Sequence, residues 1–170
     1  MKSLNIFSQL QQFENEIARL EGKILELEQR MQKMIEIERN HLVRVKNKNY
    51  VPDEFILSGR SYMDLSPEKA WRQYSNPDFD FILLDVSAID FPINHRLPES
   101  LNIPYEELSE RFMEINSRTT PILVISEDGT KSILACEFLV SRGYYNCSNV
   151  SGGHKFWKSF RMEKLDQESA

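Results

Sequence analysis

The chain has 170 residues, 41% of them hydrophobic and 28% charged, with a formal net charge of −5. That is room for one domain of ordinary size plus an appendage, and no run approaches the ~18 apolar residues of a bilayer-spanning helix. Met1-Lys-Ser-Leu-Asn-Ile6 leads into Gln11, Gln12 and Glu14 without the apolar core of a secretory signal, so the expected compartment is the cytoplasm.

Charge is unevenly divided. Residues 1–48 carry nine Lys/Arg against seven Glu, whereas residues 49–170 carry twelve Lys/Arg against nineteen Asp/Glu. An acidic domain repels a phosphate backbone, which argues against nucleic acid as a ligand. The basic cluster Arg39, Arg44, Lys46 and Lys48 reads as a solvated helix end, where cations are favoured. Cys136 and Cys147 are the two cysteines. Their separation fits neither a Cys-x-x-Cys redox pair nor a zinc site, so both read as buried thiols, and no metal, cofactor or membrane contact is expected.

In chain order, residues 1–45 come first as one long helix. Ile6, Leu10, Phe13, Ile17, Leu20, Ile24, Leu27, Met31 and Met34 recur at alternating steps of four and three. This is a heptad seam with Leu10, Ile17, Ile24 and Met31 at a and the others at d. Gly22 falls on the outer face, and the pattern lapses at Glu38 and His41. So narrow a stripe predicts self-association, a homodimeric coiled coil, in preference to a helix folded back on its own domain. Glu14, Glu21 and Glu28 all occupy e and would face one another in an antiparallel pair, so a parallel dimer is expected. His41 reads as the end of the register.

Residues 46–60, with Asn47, Asn49 and Pro52, read as a linker. A domain over 61–162 follows, with a flexible tail at 163–170. Tyr62–Leu65 suits a short first strand. Ser66-Pro67-Glu68 begins a helix, with Ser66 as N-cap and Pro67 in the first turn. Phe81–Val86 reads as a strand ending at Asp85, and 87–98 as a loop carrying His95. Pro104–Phe112 reads as an amphipathic helix. Pro121–Ser126 is a buried strand, followed by a turn with Gly129 and a helix starting near Ser132, with Cys136 inside it. A short strand ends at Val150, and Trp157 reads as core.

A strand, tight turn and helix start aim a row of backbone N–H groups at one point above the strand end, a cradle for an anion or a reactive sulfur. The candidate loop is Ser126, Glu127, Asp128, Gly129, Thr130, Lys131 and Ser132, with Asp85 and His95 as supporting residues. Asp85 is placed to orient Lys131 or the loop amides, or to cap its strand.

Four pieces resemble a rhodanese (sulfurtransferase) domain. Phe81-Ile-Leu-Leu-Asp-Val86 resembles the family's Leu-Asp-Val strand, and His95-Arg-Leu-Pro-Glu-Ser-Leu-Asn-Ile-Pro104 its His-Ile-Pro-Gly-Ala-Ile-Asn-Ile-Pro segment. Ser126–Ser132 lies over its Cys-Arg-x-Gly-x-Arg-Ser loop, and Ser151-Gly-Gly-His-Lys-Phe-Trp157 resembles its closing Gly-Gly-x-x-x-Trp. The resemblance covers roughly 60–160 and implies an α/β fold, a central parallel sheet flanked by helices, with the loop at the carboxyl end of a central strand.

The departures decide the functional expectation. Ser126 stands where the family's persulfide-bearing Cys stands, Glu127 replaces the first Arg, and Lys131 takes the second Arg's place. Asp128 adds a second negative charge, and Ser87 replaces an Arg. Sulfur transfer needs a thiolate, and a hydroxyl does not take up sulfane sulfur. A Cys-x5-Arg phosphatase reading fails because both groups are missing. The expectation is an inactive rhodanese-like module, dimerised by its coil, whose loop takes a small anion through its amides and Lys131 or docks a basic protein surface on its acidic rim. The alternative is an enzyme with residual sulfur-handling activity.

Overall fold

The structure is a computed structural model that describes residues 2–48 and 51–157, with side chains from residue 6 onward. The expected tail at 163–170 lies outside the described residues. The backbone forms two compact units, Met1–Ile35 and Glu36–Ala170.

Helix α1 spans Lys2–Lys46. In the first unit its seam residues are exposed, from 48% at Leu20 to 70% at Met34.

The second unit is built on five parallel strands: β1 (Met63–Leu65), β2 (Ile82–Asp85), β3 (Leu101–Asn102), β4 (Ile122–Ile125) and β5 (Cys147–Val150). Their order is β1-β5-β4-β2-β3. Register pairs Leu84 with Val124 and Val124 with Asn149, which puts β4 at the centre. All four β4 residues are buried, as a parallel strand covered on both faces requires, and this explains its unbroken Ile-Leu-Val-Ile run.

Helix α5 (Thr130–Ser141) covers one face, where Leu84, Val124, Ala135, Cys136, Leu139 and Cys147 share a core. Helix α3 (Pro67–Tyr74) covers the other, where Leu65, Ala70, Leu83, Leu123, Val150 and Trp157 pack together. Each large aliphatic side chain fully buried here stabilises by ~1.5–3 kcal/mol. The Ser66 hydroxyl accepts from Lys69 N at 3.3 Å and Pro67 opens α3, as expected.

Two expectations need correction. Residues 104–112 do not form one amphipathic helix. They break into a 3-10 turn (Tyr105–Glu107), a single helical turn α4 (Leu108–Arg111) and a second 3-10 turn (Phe112–Glu114). The Tyr144 hydroxyl donates toward Phe112 O and Ile115 O at 3.1 and 3.2 Å, anchoring this segment by its backbone carbonyls.

The second correction concerns the basic cluster. Arg44 is no solvated helix end, for it is 3% exposed. Its Nε donates to Asn40 Oδ1 at 2.8 Å, and its Nη2 donates to Cys147 O and to Ser148 Oγ. The guanidinium also lies over the Phe55 ring, which α2 (Asp53–Ser58) buries within the stretch expected as a linker. His41 packs edge-on to the same ring, with 5.2 Å between centroids. From Asn40 onward α1 is therefore part of the second unit's core, and its inward face is polar.

Candidate functional site

The loop after β4 is closed upon itself. Ser126 is fully buried, and its Oγ accepts from Gly129 N at 3.1 Å and from Ser132 N at 3.3 Å. The Ser132 hydroxyl donates to Gly129 O at 3.0 Å, which leaves Ser126 as donor in the 3.1 Å contact between the two hydroxyls. Every hydrogen-bonding capacity of Ser126 Oγ is thus met from within the loop. Thr130 N donates to Asp128 Oδ1 at 2.9 Å, and that bond holds the Asp128 carboxyl below its ordinary pKa. The amides of Gly129, Thr130 and Ser132 are consequently engaged by the loop's own side chains.

The charged residues also turn to local partners. Glu127 Oε1 accepts from Ala88 N at 2.6 Å. Lys131 Nζ lies 2.9 Å from Glu106 and 3.8 Å from Glu127, and the bond to Glu106 raises its pKa. The sequence picture of amides and Lys131 held ready for an anion does not match this geometry.

The Gly-Gly segment seals the loop from above. Gly129, at φ +92°, adopts a conformation suited to glycine, and a Cβ there would sit 2.7 Å from Gly152 N. A Cβ on Gly153 would sit 2.1 Å from Ser126 O and 2.7 Å from Gly129 N. His154 N donates to Ser126 O at 2.8 Å and Lys155 N to Glu127 O at 3.1 Å.

Of the roles the sequence offered Asp85, the structure shows the strand cap and not the pairing with Lys131. Asp85 makes no contact with Lys131 among the described residues. Its Oδ2 accepts from His154 Nε2 at 3.0 Å and from Arg96 Nη1 at 3.2 Å, and its Oδ1 from Ser87 N at 2.9 Å. Burial pushes this carboxyl up, but hydrogen bonds from His154 and Ser87 more than offset it, and its pKa lies below the usual value. Arg96 also donates to Ala88 O at 2.8 Å, and Phe91 stacks on His154 with 5.0 Å between centroids. The carboxylate ties the 87–96 loop and the Gly-Gly-His segment to the end of β2.

His95 is exposed and packs its ring against Phe91. With Phe91, Glu127, His154 and Lys155 it lines a cavity of 210 Å³ beside the loop. No hydrogen bond joins it to Ser126 among the described residues. Arg96 was not singled out in the sequence, and His154 only as a histidine able to approach Ser126 in space, not as a partner of Asp85. Their signal was present, since each adjoins a motif already singled out, the Gly-Gly pair and His95.

Neither cysteine lies in the loop. Both are fully buried, and burial raises Cys147 to about 12 and Cys136 well above the ordinary thiol value. Cys136 lies within α5 and Cys147 opens β5, both in the core shared by that helix and the sheet.

A strand-turn-helix loop at the carboxyl end of a central parallel strand, centred on Ser126 and closed by a Gly-Gly segment, is the arrangement that the rhodanese resemblance implies. The rhodanese-like domain family model matches residues 66–160, and the chain belongs to that family. It is 41% identical over 76 residues to the adenylyltransferase and sulfurtransferase uba4 of Ogataea parapolymorpha, a match covering 44% of this chain and 19% of that protein. The chain thus spans about a fifth of the length of this curated relative. The same fold occurs in an uncharacterized protein of Saccharomyces cerevisiae, at 21% identity and TM-score 0.54, covering 62% of this chain and 98% of that one. It occurs also in the rhodanese-like domain of an Anabaena protein, at 20% identity and TM-score 0.52, covering 57% and 74%.

Proposed function

We propose that this chain is a rhodanese-like binding module that does not turn over sulfur and that works as a parallel dimer joined by the first part of α1. The observation that carries the first half is the Ser126 hydroxyl. It occupies the centre of the loop, and the Gly129 and Ser132 amides that would stabilise a sulfur anion point at it. A hydroxyl at that place needs a general base to become a nucleophile, and its neighbours are two amides and a second hydroxyl. Core burial keeps Cys136 and Cys147 protonated at neutral pH, so neither supplies a thiolate. The acidic rim, Glu127 and Asp128 with Glu106 nearby, suits a basic protein surface as the loop's partner.

Cyanolysis of the purified protein decides the first half. The expected result is no cyanide-releasable sulfur above a buffer blank, and no thiosulfate:cyanide sulfurtransferase activity. Near-stoichiometric sulfur that survives a Cys136→Ala, Cys147→Ala double variant would overturn the reading.

A further inference from the structure

At the end of the sheet away from Ser126, the amino ends of β4 and β5 open on a cavity of 460 Å³. This volume falls within the ~300–1,000 Å³ typical of small-molecule sites. Three features of its lining point to a ligand.

The first is a buried cation without a counter-ion. Arg44 lines the cavity at 3% exposure, and its hydrogen-bond partners, Asn40, Cys147 O and Ser148, are all neutral. No carboxylate lies within ion-pair distance of it among the described residues. Burial draws its pKa down to about 10, so it remains protonated at neutral pH. A desolvated charge is costly unless an opposite charge meets it.

The second is Asn146, which is 1% exposed and lines the same cavity. Both its side-chain oxygen and its nitrogen lack a hydrogen-bond partner. Buried amides are normally bonded, so an amide with both ends idle at a cavity wall calls for a partner.

The third is the division of the lining into halves. Lys48 and Lys69 add positive charge, whereas among the described residues no Asp or Glu lines the cavity. Arg72 is held by Glu68 at 2.6 Å, and Asp78 and Asp80 line a neighbouring cavity that meets this one at Phe79 and Pro121. The remaining wall is apolar, from Met63, Leu65, Phe79 and Leu123.

We infer that this cavity is a binding site for a small organic anion, a carboxylate or phosphate carried on an apolar body. The oxyanion meets Arg44 and the Asn146 amide nitrogen at the strand ends, with the lysines adding long-range attraction, and the apolar body lies along Met63, Leu65 and Leu123. The site is independent of the loop chemistry and stands whether or not Ser126 is inert.

The test is an NMR titration of the full-length protein with phenyl phosphate, benzoate, benzyl alcohol and inorganic phosphate. At least one aryl anion is expected to shift the Asn146 side-chain amide and the Ser148 backbone amide saturably. Which of the two binds tighter identifies the head group. Benzyl alcohol and inorganic phosphate should bind about tenfold more weakly or worse, since each lacks one half of the recognised chemistry. Lys69→Glu, on an exposed stretch of α3, should weaken the anion several-fold without lowering the denaturation midpoint. Asn146→Leu should weaken it while leaving the midpoint unchanged or higher, because two idle buried polar atoms are removed. These two variants decide the matter if Arg44→Met does not fold. Failure of both anions to saturate, shifts confined to Gly129–Ser132, equal affinity for benzyl alcohol or inorganic phosphate, or indifference to both variants would each overturn the inference.

Discussion

Asp85 shows how one side chain fixes the upper end of this domain. It is fully buried, with Arg96, His154 and the Ser87 amide on its two oxygens. Its pKa is depressed in the folded state, so its contribution to stability is fully present above the ordinary aspartate value. That contribution is lost as pH falls through the lower, folded value. Asp85→Asn is therefore expected to destabilise by ~3 kcal/mol at neutral pH, since it leaves the Arg96 guanidinium beside a neutral amide in a buried setting. The gap between wild type and variant should close as pH drops below about 4. Urea midpoints measured across that range check this, and a gap independent of pH would mean that the charge itself contributes nothing. The sequence marked Asp85 as the end of a strand and offered it Lys131, the loop amides or the strand cap as partners. Its two side-chain partners were not legible from spacing, because Arg96 and His154 reach it from segments 11 and 69 residues away.

At the level of elements, legibility followed periodicity. The run of β4, the Ser66-Pro67 start of α3 and the heptads of α1 are local patterns, and the structure contains all of these elements. What escaped was the segment from Asn40 to Phe55. Its docking face is Asn40, His41 and Arg44 on α1 with Phe55 on α2, so no apolar stripe announces the α1 part, and a hydrophobicity reading assigns such residues to solvent. The loop after β4 was legible in its residues but not in its state, because a sequence does not say that Ser126 will take the amides for itself. The docking of Arg44 has a measurable consequence. A chain starting at Glu36 keeps Asn40, His41 and Arg44 and should retain the full-length denaturation midpoint of this unit. A chain starting at Asn47 leaves Cys147 O and Ser148 Oγ without their donor and uncovers Phe55, and should lose ~2 kcal/mol or more. Equal midpoints for the two truncations would show that the Arg44 contacts make no net contribution.

For the whole molecule, the first unit poses a problem that one chain does not solve by itself. Leu10, Phe13, Ile17, Leu20, Ile24 and Leu27 are each 48–66% exposed along a single stripe, a contiguous apolar surface of the kind that marks an interface. Two copies in parallel register bury a and d residues against their counterparts and set Lys23 opposite Glu28 across the seam. An antiparallel pair would bring Glu14, Glu21 and Glu28 into mutual proximity, whereas the proposed parallel pair sets only Glu16 against Glu21, so charge favours the parallel arrangement modestly. Ile at two a positions with Leu at two d positions favours two strands over three or four. Light scattering of the full-length protein at micromolar concentration should accordingly give about twice the chain mass, and the chain starting at Glu36 about one chain mass. Ile24→Asp places an unpaired charge in the middle of the seam, and desolvating that charge costs more than the remaining contacts supply, so this variant should be monomeric. It should keep the wild-type response of the rhodanese-like unit to urea, because Ile24 lies outside that unit. A full-length chain that scatters as a monomer, or an Ile24→Asp variant that still dimerises, would show that the stripe is covered by something other than a second copy.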